Sequence, residues 1–164
     1  MEEEGKVIKI GMADLNVCTV PDKITTLGLG SCVGVVLYDR TKKICGMVHV
    51  MLPDSTMVKG VNNRAKFADT GIDYLLEMLE KKGVYKTSLS AKIAGGAKMF
   101  AFSSDNDMLN VGQRNVDAVV KKLKSLNIRI VAQDTGLNYG RTIIFDPADC
   151  GLTIKAVGKG IKVI

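Results

Sequence analysis

Residues 26–51 carry the strongest structural signal in this chain and read TLGLGSCVGVVLYDRTKKICGMVHVM. Two apolar runs rich in β-branched residues, 33–38 and 44–51, flank the polar segment 39–43. Runs of this kind joined by a short polar stretch are typical of two antiparallel strands. The sequence therefore predicts a β-hairpin with strands at 33–38 and 44–51.

The open end of this hairpin holds the residues best suited to chemistry. Cys32 precedes the first strand, and His49, the only histidine in the chain, lies near the end of the second. Because the start of one antiparallel strand faces the end of its partner, we expect the thiol and the imidazole at the same end. A neighbouring imidazole can take the thiol proton and leave a nucleophilic thiolate paired with an imidazolium.

Glycines at positions 28, 30 and 34 surround this cysteine. They permit a sharp turn and a close approach of a substrate carbonyl to the main chain. N–H groups near Ser31 and Cys32 are then placed to receive an oxyanion. A structural interpretation also fits, in which Cys32 is a buried strand residue, the glycines mark a bulge and His49 is a core histidine. Spacing alone leaves both interpretations open.

Known glycine-rich motifs fit this segment less well. It is not Gly-x-Gly-x-x-Gly, because position 33 is Val, and no Gly-Lys-Ser/Thr follows to complete a phosphate-binding loop. Gly30-Ser31-Cys32-Val33-Gly34 matches a nucleophile elbow with Cys in the serine position. An elbow leads into a helix, whereas a strand is predicted here, which argues against an α/β-hydrolase.

The rest of the chain shows further strand and helix signals. Apolar residues at helical spacing predict helices at about 64–82 and about 111–126, with Asn62 or Asn63 and Asn110 as caps and Gly83 at the end of the first. Strands are also predicted at 6–10, 15–20, 24–28, 88–94, 128–133, 141–145 and 152–157. This pattern predicts an α+β fold, and the 164 residues, without linker or repeat, predict a single domain over 1–164.

Composition limits the class of protein. A hydrophobic content of 46% is that of a globular chain, and the longest uncharged run, 24–38, is too short and glycine-rich for a membrane span. Residues 1–6 show no secretory signal, so we expect a cytoplasmic protein without membrane insertion. The net charge of +6 comes from dispersed lysines with only 5% aromatic residues, which argues against nucleic-acid binding and favours an acidic protein partner.

The cysteines show no metal-binding pattern. The four, at positions 18, 32, 45 and 150, form no Cys-x-x-Cys pair, and the single histidine completes no zinc spacing. We expect free thiols, with Cys18 and Cys45 in strands and Cys150 in a turn.

Three smaller features each have two interpretations. Gly95 and Gly96 form either a substrate-facing loop or a bulge at a strand end. Phe100 and Phe102 form either an exposed partner contact or a buried loop anchor. The turn that begins at Asp134 either lines the site or is an ordinary turn.

Six motifs occur in order along the chain: 26–32 (TLGLGSC), 49–55 (HVMLPDS), 66–70 (KFADT), 91–97 (AKIAGGA), 110–115 (NVGQRN) and 134–136 (DTG). Together they resemble the CheD family, the chemoreceptor glutamine deamidases of bacterial and archaeal chemotaxis. The resemblance extends from about residue 5 to about residue 160. It implies a β-sandwich-like core of mixed and antiparallel strands with the two helices packed outside.

The resemblance also implies a mechanism. The protein is then a thiol hydrolase that converts receptor glutamines to glutamates through a thioester, and by the same route glutamyl methyl esters, without a metal or organic cofactor. Cys32 is the implied nucleophile, His49 the base, and Thr26 the third member of the triad that orients the imidazole. Ser31 and Gly30 are the candidates for an oxyanion or substrate loop.

Two classes of function therefore remain. The first is the deamidase, with chemoreceptor cytoplasmic domains and a CheC-type phosphatase as the implied partners. The second is a non-catalytic chemotaxis regulator that binds receptors or the CheC-type phosphatase. The Cys32 and His49 pair favours the enzyme, because a binding module has no need of it.

Overall fold

The protein is built on two five-stranded β-sheets. The computed structural model describes residues 4–99 and 110–164. The strands are β1 (Val7–Ile10), β2 (Leu15–Thr19), β3 (Lys23–Leu29), β4 (Val33–Asp39), β5 (Ile44–Val50), β6 (Ser90–Gly95), β7 (Arg129–Thr135), β8 (Arg141–Asp146), β9 (Gly151–Ala156) and β10 (Gly160–Val163). The first sheet has the order β1-β3-β8-β9-β10 and the second the order β2-β5-β4-β6-β7. Each sheet contains one parallel pair, β1 with β3 and β6 with β7, so both are mixed.

Within the described residues, two α-helices cover the outer face of the second sheet. These are α1 (Ala68–Lys81) and α2 (Val111–Ser125). The buried apolar side chains of both helices pack in one core cluster with side chains of β4, β5 and β6. The helix residues in this cluster include Ile72, Leu75, Leu79, Val116, Val119 and Leu123. No helix in the described ranges is long and apolar enough to cross a membrane.

Alternation of side chains along β4 places the second sheet between two cores. Val33, Val35 and Leu37 belong to the cluster shared with the helices, whereas Val36 and Tyr38 belong to a cluster shared with the first sheet. A strand buried on both faces has few polar positions, which explains the continuous apolar run in this part of the sequence. The α+β class, the sandwich-like core and the outer helices are confirmed.

The predicted hairpin is present, whereas the predicted start of the first helix was wrong. β4 and β5 pair from Val33 with Val50 to Asp39 with Ile44. The first helix does not begin near residue 64, because Arg64–Lys66 is a separate 3-10 turn capped by Asn63. Phe67 is extended, with φ −112° and ψ 144°, and it forms a parallel bridge to Leu52 before α1 begins. This bridge interrupts the helical signal.

Two further predictions have different outcomes. Asn110 caps α2 as expected, with its side chain accepting the N–H of Gln113. The strand β10 was not predicted, because its four residues are all exposed and carry no alternating burial signal. Phe100 and Phe102 lie outside the described residues.

Candidate active site

The open end of the β4–β5 hairpin carries Cys32 and His49. Gly34 is paired with His49 and Val33 with Val50, so Cys32 lies one step beyond the last pair and diagonal to His49. Residues two apart on a strand share a face, and both side chains lie on the face turned toward the first sheet. Diagonal neighbours of this kind have Cα atoms about 7–8 Å apart. The two residues therefore share an end and a face of the hairpin, but Nε2 of His49 makes no hydrogen bond within the described residues, the Cys32 thiol included.

Gly34 is required by the close approach of the two sheets. A Cβ atom at this position would lie 2.6 Å from Cδ1 of Ile143, which packs over the hairpin from β8. The same approach buries His49 completely. Gly28, with a φ of +71°, lies within β3 where the pairing with β8 shifts register between Thr26 and Leu29, so this glycine marks an irregularity in the strand rather than a turn.

Thr26 reaches the imidazole from β3 of the first sheet. Its Oγ1 lies 2.8 Å from Nδ1 of His49 and 3.0 Å from the carbonyl oxygen of Ile10. A carbonyl oxygen only accepts, so the Thr26 hydroxyl donates to Ile10 and its lone pair accepts Nδ1–H. The lone pair of the neutral ring is therefore on Nε2, which is buried and has no hydrogen-bond partner within the described residues.

Burial acts against both charged forms of the thiol–imidazole pair. It lowers the pKa of His49 to about 4 and raises the pKa of the Cys32 thiol, although the backbone N–H of Cys32 partly opposes the second shift. At neutral pH the resting site therefore holds a neutral thiol and a neutral imidazole. The thiolate–imidazolium pair expected from the sequence is disfavoured before substrate binds.

The loop 30–32, which carries Cys32, is anchored to the end of β6. The N–H of Ala97 donates to the carbonyl of Gly30, and the N–H of Gly96 donates to the carbonyl of Cys32, both at 2.8 Å. Gly95 has a φ of +112°, and a Cβ there would lie 2.2 Å from the Cys32 carbonyl oxygen. Gly95, the last residue of β6, and Gly96, which follows it, therefore both lie directly against the loop 30–32.

Known proteins identify the family to which this chain belongs. The family model for CheD chemotactic sensory transduction matches residues 51–156. A probable chemoreceptor glutamine deamidase CheD of Lachnoclostridium phytofermentans is 67% identical over 160 residues, which cover 98% of this chain and 99% of that protein. The chain belongs to the CheD family. The chemoreceptor glutamine deamidases CheD of Halalkalibacterium halodurans and Bacillus subtilis are 58% and 51% identical, over 96% and 98% of this chain and 98% of each relative.

Asn115 also lies at this candidate site, and the sequence by itself indicates no role for it. It lies on α2, is completely buried, and donates through Nδ2 to the carbonyl oxygens of Ser31 and Met51, each at 2.9 Å. One of these carbonyls precedes Cys32, and the other lies two residues after His49. The available signal was a polar residue on the buried face of the predicted helix, within the motif NVGQRN.

The turn after Asp134 supports the same loop. Arg141 is buried, and its Nε lies 3.2 Å from the Asp134 carboxylate, while its Nη1 donates to the carbonyl of Gly136 at 3.0 Å. The N–H of Gly136 then donates to the carbonyl of Gly95. Lys162 also contacts the Asp134 carboxylate, at 3.0 Å. The turn therefore contacts Gly95, which itself lies against the loop 30–32.

The cysteines are free, and Cys18 faces Cys45 across β2 and β5 while Cys150 lies in the turn before β9. No group of three or more His, Cys, Asp or Glu residues in the described part of the chain is arranged to hold a metal ion.

Proposed function

We propose that this chain is a chemoreceptor glutamine deamidase that hydrolyses the side-chain carboxamide of receptor glutamines to glutamate and ammonia. The observation that carries the proposal is the contact between Thr26 and His49 beside Cys32, at 2.8 Å. It orients a neutral imidazole on the face of the hairpin that also holds Cys32, with the lone pair on Nε2, which has no hydrogen-bond partner within the described residues. The names of the relatives support the same reaction.

The first half of the reaction makes a thioester. As Sγ of Cys32 bonds to the carboxamide carbon, its proton moves to Nε2 of His49, and the carbonyl oxygen becomes an oxyanion. The positive charge that forms on the ring is held by Thr26 through Nδ1–H. The oxyanion then reforms the carbonyl, the carbon–nitrogen bond breaks, and the proton on Nε2 leaves with the nitrogen as ammonia.

The second half returns the enzyme to its starting state. Neutral His49 takes a proton from water as the water oxygen attacks the thioester carbon. The carbon–sulfur bond breaks, the proton returns to the sulfur of Cys32, and a glutamate side chain remains on the receptor. A glutamyl methyl ester gives the same thioester with methanol as the leaving group, so we propose it as a second substrate.

The N–H groups of Ser31 and Cys32 are the proposed oxyanion donors. Each belongs to a peptide group whose carbonyl, on Gly30 or Ser31, is bound on its opposite side. Because the N–H and C=O of a trans peptide point in opposite directions, these bonds turn both N–H groups away from β6 and α2. Preorganised donors of this kind stabilise the charge that develops in the transition state.

The proposed site of action is the cytoplasm, where receptor cytoplasmic domains are the substrates. The net charge of +6 favours association with an acidic receptor surface. A CheC-type phosphatase as a further partner is supported by the family resemblance alone.

Intact-mass spectrometry of a receptor cytoplasmic fragment tests the proposal. Each deamidation replaces NH₂ by OH and adds about 1 Da. The fragment is incubated with wild-type protein, with Cys32→Ala, and with Cys150→Ala as a matched control that also removes a buried free thiol. We expect the mass gain with wild type and Cys150→Ala and none with Cys32→Ala.

Absence of a mass gain with folded wild-type protein on several receptor fragments would refute the deamidase. Retained binding of Cys32→Ala to receptors or to the phosphatase would separate binding from catalysis. The purely regulatory alternative is less well supported, because a protein that only binds does not require the contact that orients the imidazole of His49.

A further inference from the structure

The side chain of Asn115 spans the open end of the catalytic hairpin. The β4–β5 ladder stops at Val33 and Val50, and beyond this pair the strands are connected by the Nδ2 of Asn115, which donates to Ser31 and Met51. Both bonds are 2.9 Å long, within the normal range for N–H···O bonds. The side chain therefore replaces the next step of the ladder.

The orientation of this amide is determined by its surroundings. Turning the group over would place Oδ1 against two carbonyl oxygens, which cannot donate, and both bonds would be lost. Oδ1 itself is buried and has no hydrogen-bond partner within the described residues. All hydrogen bonding of the Asn115 side chain there is thus directed at the two carbonyls of the hairpin end.

One of these carbonyls belongs to the peptide group that joins Ser31 to Cys32. The N–H of the same peptide group is that of Cys32, and it points opposite to the carbonyl that Asn115 holds. The Cys32 N–H also acts on the thiol of its own residue, because it lowers the pKa of that thiol against the effect of burial. A hydrogen bond accepted at the carbonyl also polarises the peptide and strengthens its N–H as a donor.

We infer that Asn115 is the positioning residue for the oxyanion donor of this site: by binding the Ser31 carbonyl it aims the Cys32 N–H at the developing oxyanion. The inference rests on the proposed deamidase function and adds to it a residue that touches neither substrate nor thiol. Its role differs from that of Thr26, which orients the base. Loss of Asn115 therefore slows the step in which the oxyanion forms and leaves the activation of the thiol intact.

Two reactions of the same cysteine distinguish this role from a general structural one. Deamidation develops an oxyanion, whereas alkylation of Cys32 by iodoacetamide displaces iodide at a saturated carbon and develops none. Both rates are measured for wild type, Asn115→Ala and Gln113→Ala. The last is the matched control, because the side chain of Gln113 is an exposed amide on the same helix, and it donates to the carboxylate of Asp117.

For Asn115→Ala we expect kcat for receptor deamidation to fall by about tenfold to hundredfold, somewhat less than the loss of a whole oxyanion donor. KM for the receptor and the alkylation rate mapped to Cys32 stay unchanged. Gln113→Ala keeps all three values. If Asn115→Ala does not unfold cooperatively, Asn115→Gln keeps the amide donor but displaces it by one methylene, and the same split between the two rates is expected.

The inference is overturned if deamidation and alkylation fall together, because Asn115 then supports only the thiol–imidazole pair or the fold. It is also overturned if kcat is unchanged in Asn115→Ala while wild type is active. An inactive wild type on receptor fragments would instead refute the proposed function, so the two failures are distinguishable.

Discussion

Replacing Thr26 with Val removes the hydroxyl that connects His49 to Ile10 and keeps the shape of the side chain nearly unchanged. The hydroxyl makes two buried hydrogen bonds, of 2.8 Å to Nδ1 of His49 and 3.0 Å to the Ile10 carbonyl. Each of the two buried groups left without a partner costs about 1–3 kcal/mol, so we expect the free energy of unfolding to fall by about 2–6 kcal/mol.

The same substitution removes the reason for the proton to stay on Nδ1. Without an acceptor at Thr26, the tautomer with the proton on Nε2 becomes competitive, and this form of His49 cannot take the proton of Cys32. A loss of about 1–3 kcal/mol in the preference for the reactive tautomer corresponds to a fall in kcat of about fivefold to 150-fold. KM for the receptor is expected to change little, because Thr26 is buried beneath the site.

Deamidation of a receptor fragment gives kcat and KM, and urea unfolding gives the stability. Thr26→Ser is the matched control, because it keeps the hydroxyl and removes only a methyl group. We expect Thr26→Ser to retain most of the activity. A folded Thr26→Val protein with wild-type kcat would refute the assignment of the tautomer and with it the role of Thr26.

Three other predictions follow from burial and close packing. Burial lowers the pKa of His49 to about 4. The acid limb of the pH profile of kcat/KM is therefore expected near pH 4 rather than near 6.5, the ordinary pKa of histidine. An acid limb at pH 6.5 would contradict a buried neutral base. Between pH 6.5 and 4, His49 is protonated in the unfolded chain and neutral in the folded chain. As the pH is lowered through this range, the free energy of unfolding should therefore decrease by roughly 3 kcal/mol more in wild type than in His49→Asn. Equal pH slopes in urea unfolding would refute this. Gly96 has a φ of +69° and its added Cβ would lie 2.2 Å from Cγ2 of Val116, whereas Gly83 has a φ of +86° with open space around it. Gly96→Ala should therefore cost about 2–5 kcal/mol and Gly83→Ala about 1–2 kcal/mol in thermal or urea unfolding, and equal losses would show that the contact with Val116 is unimportant.

Local patterns were sufficient for most of the elements. The two apolar, β-branched runs 33–38 and 44–51 around a polar segment predicted the hairpin, and antiparallel geometry then brought Cys32 and His49 to one end. The helical spacing in α2 and its cap at Asn110 were predicted for the same reason, since neighbours along the chain determine both. The start of α1 was misplaced because the bridge between Phe67 and Leu52 is a contact with a residue outside the helix.

The remainder of the site depends on contacts between distant parts of the chain. From the residues alone, Thr26 was an ordinary strand threonine, and only the packing of the first sheet on the second brings its hydroxyl to His49. Asn115 reaches Ser31 across 84 positions, and no local pattern reports such a contact.

The protonation states of Cys32 and His49 also depend on the tertiary structure and not on the local sequence. The order of residues supplied a thiol, an imidazole and the hairpin that brings them together. Burial between the sheets further favours the neutral form of both groups, and the contact with Thr26 leaves the ring lone pair on Nε2 of His49. Desolvation and hydrogen-bond direction are properties of the assembled core, so they became visible only once both sheets and α2 were in place.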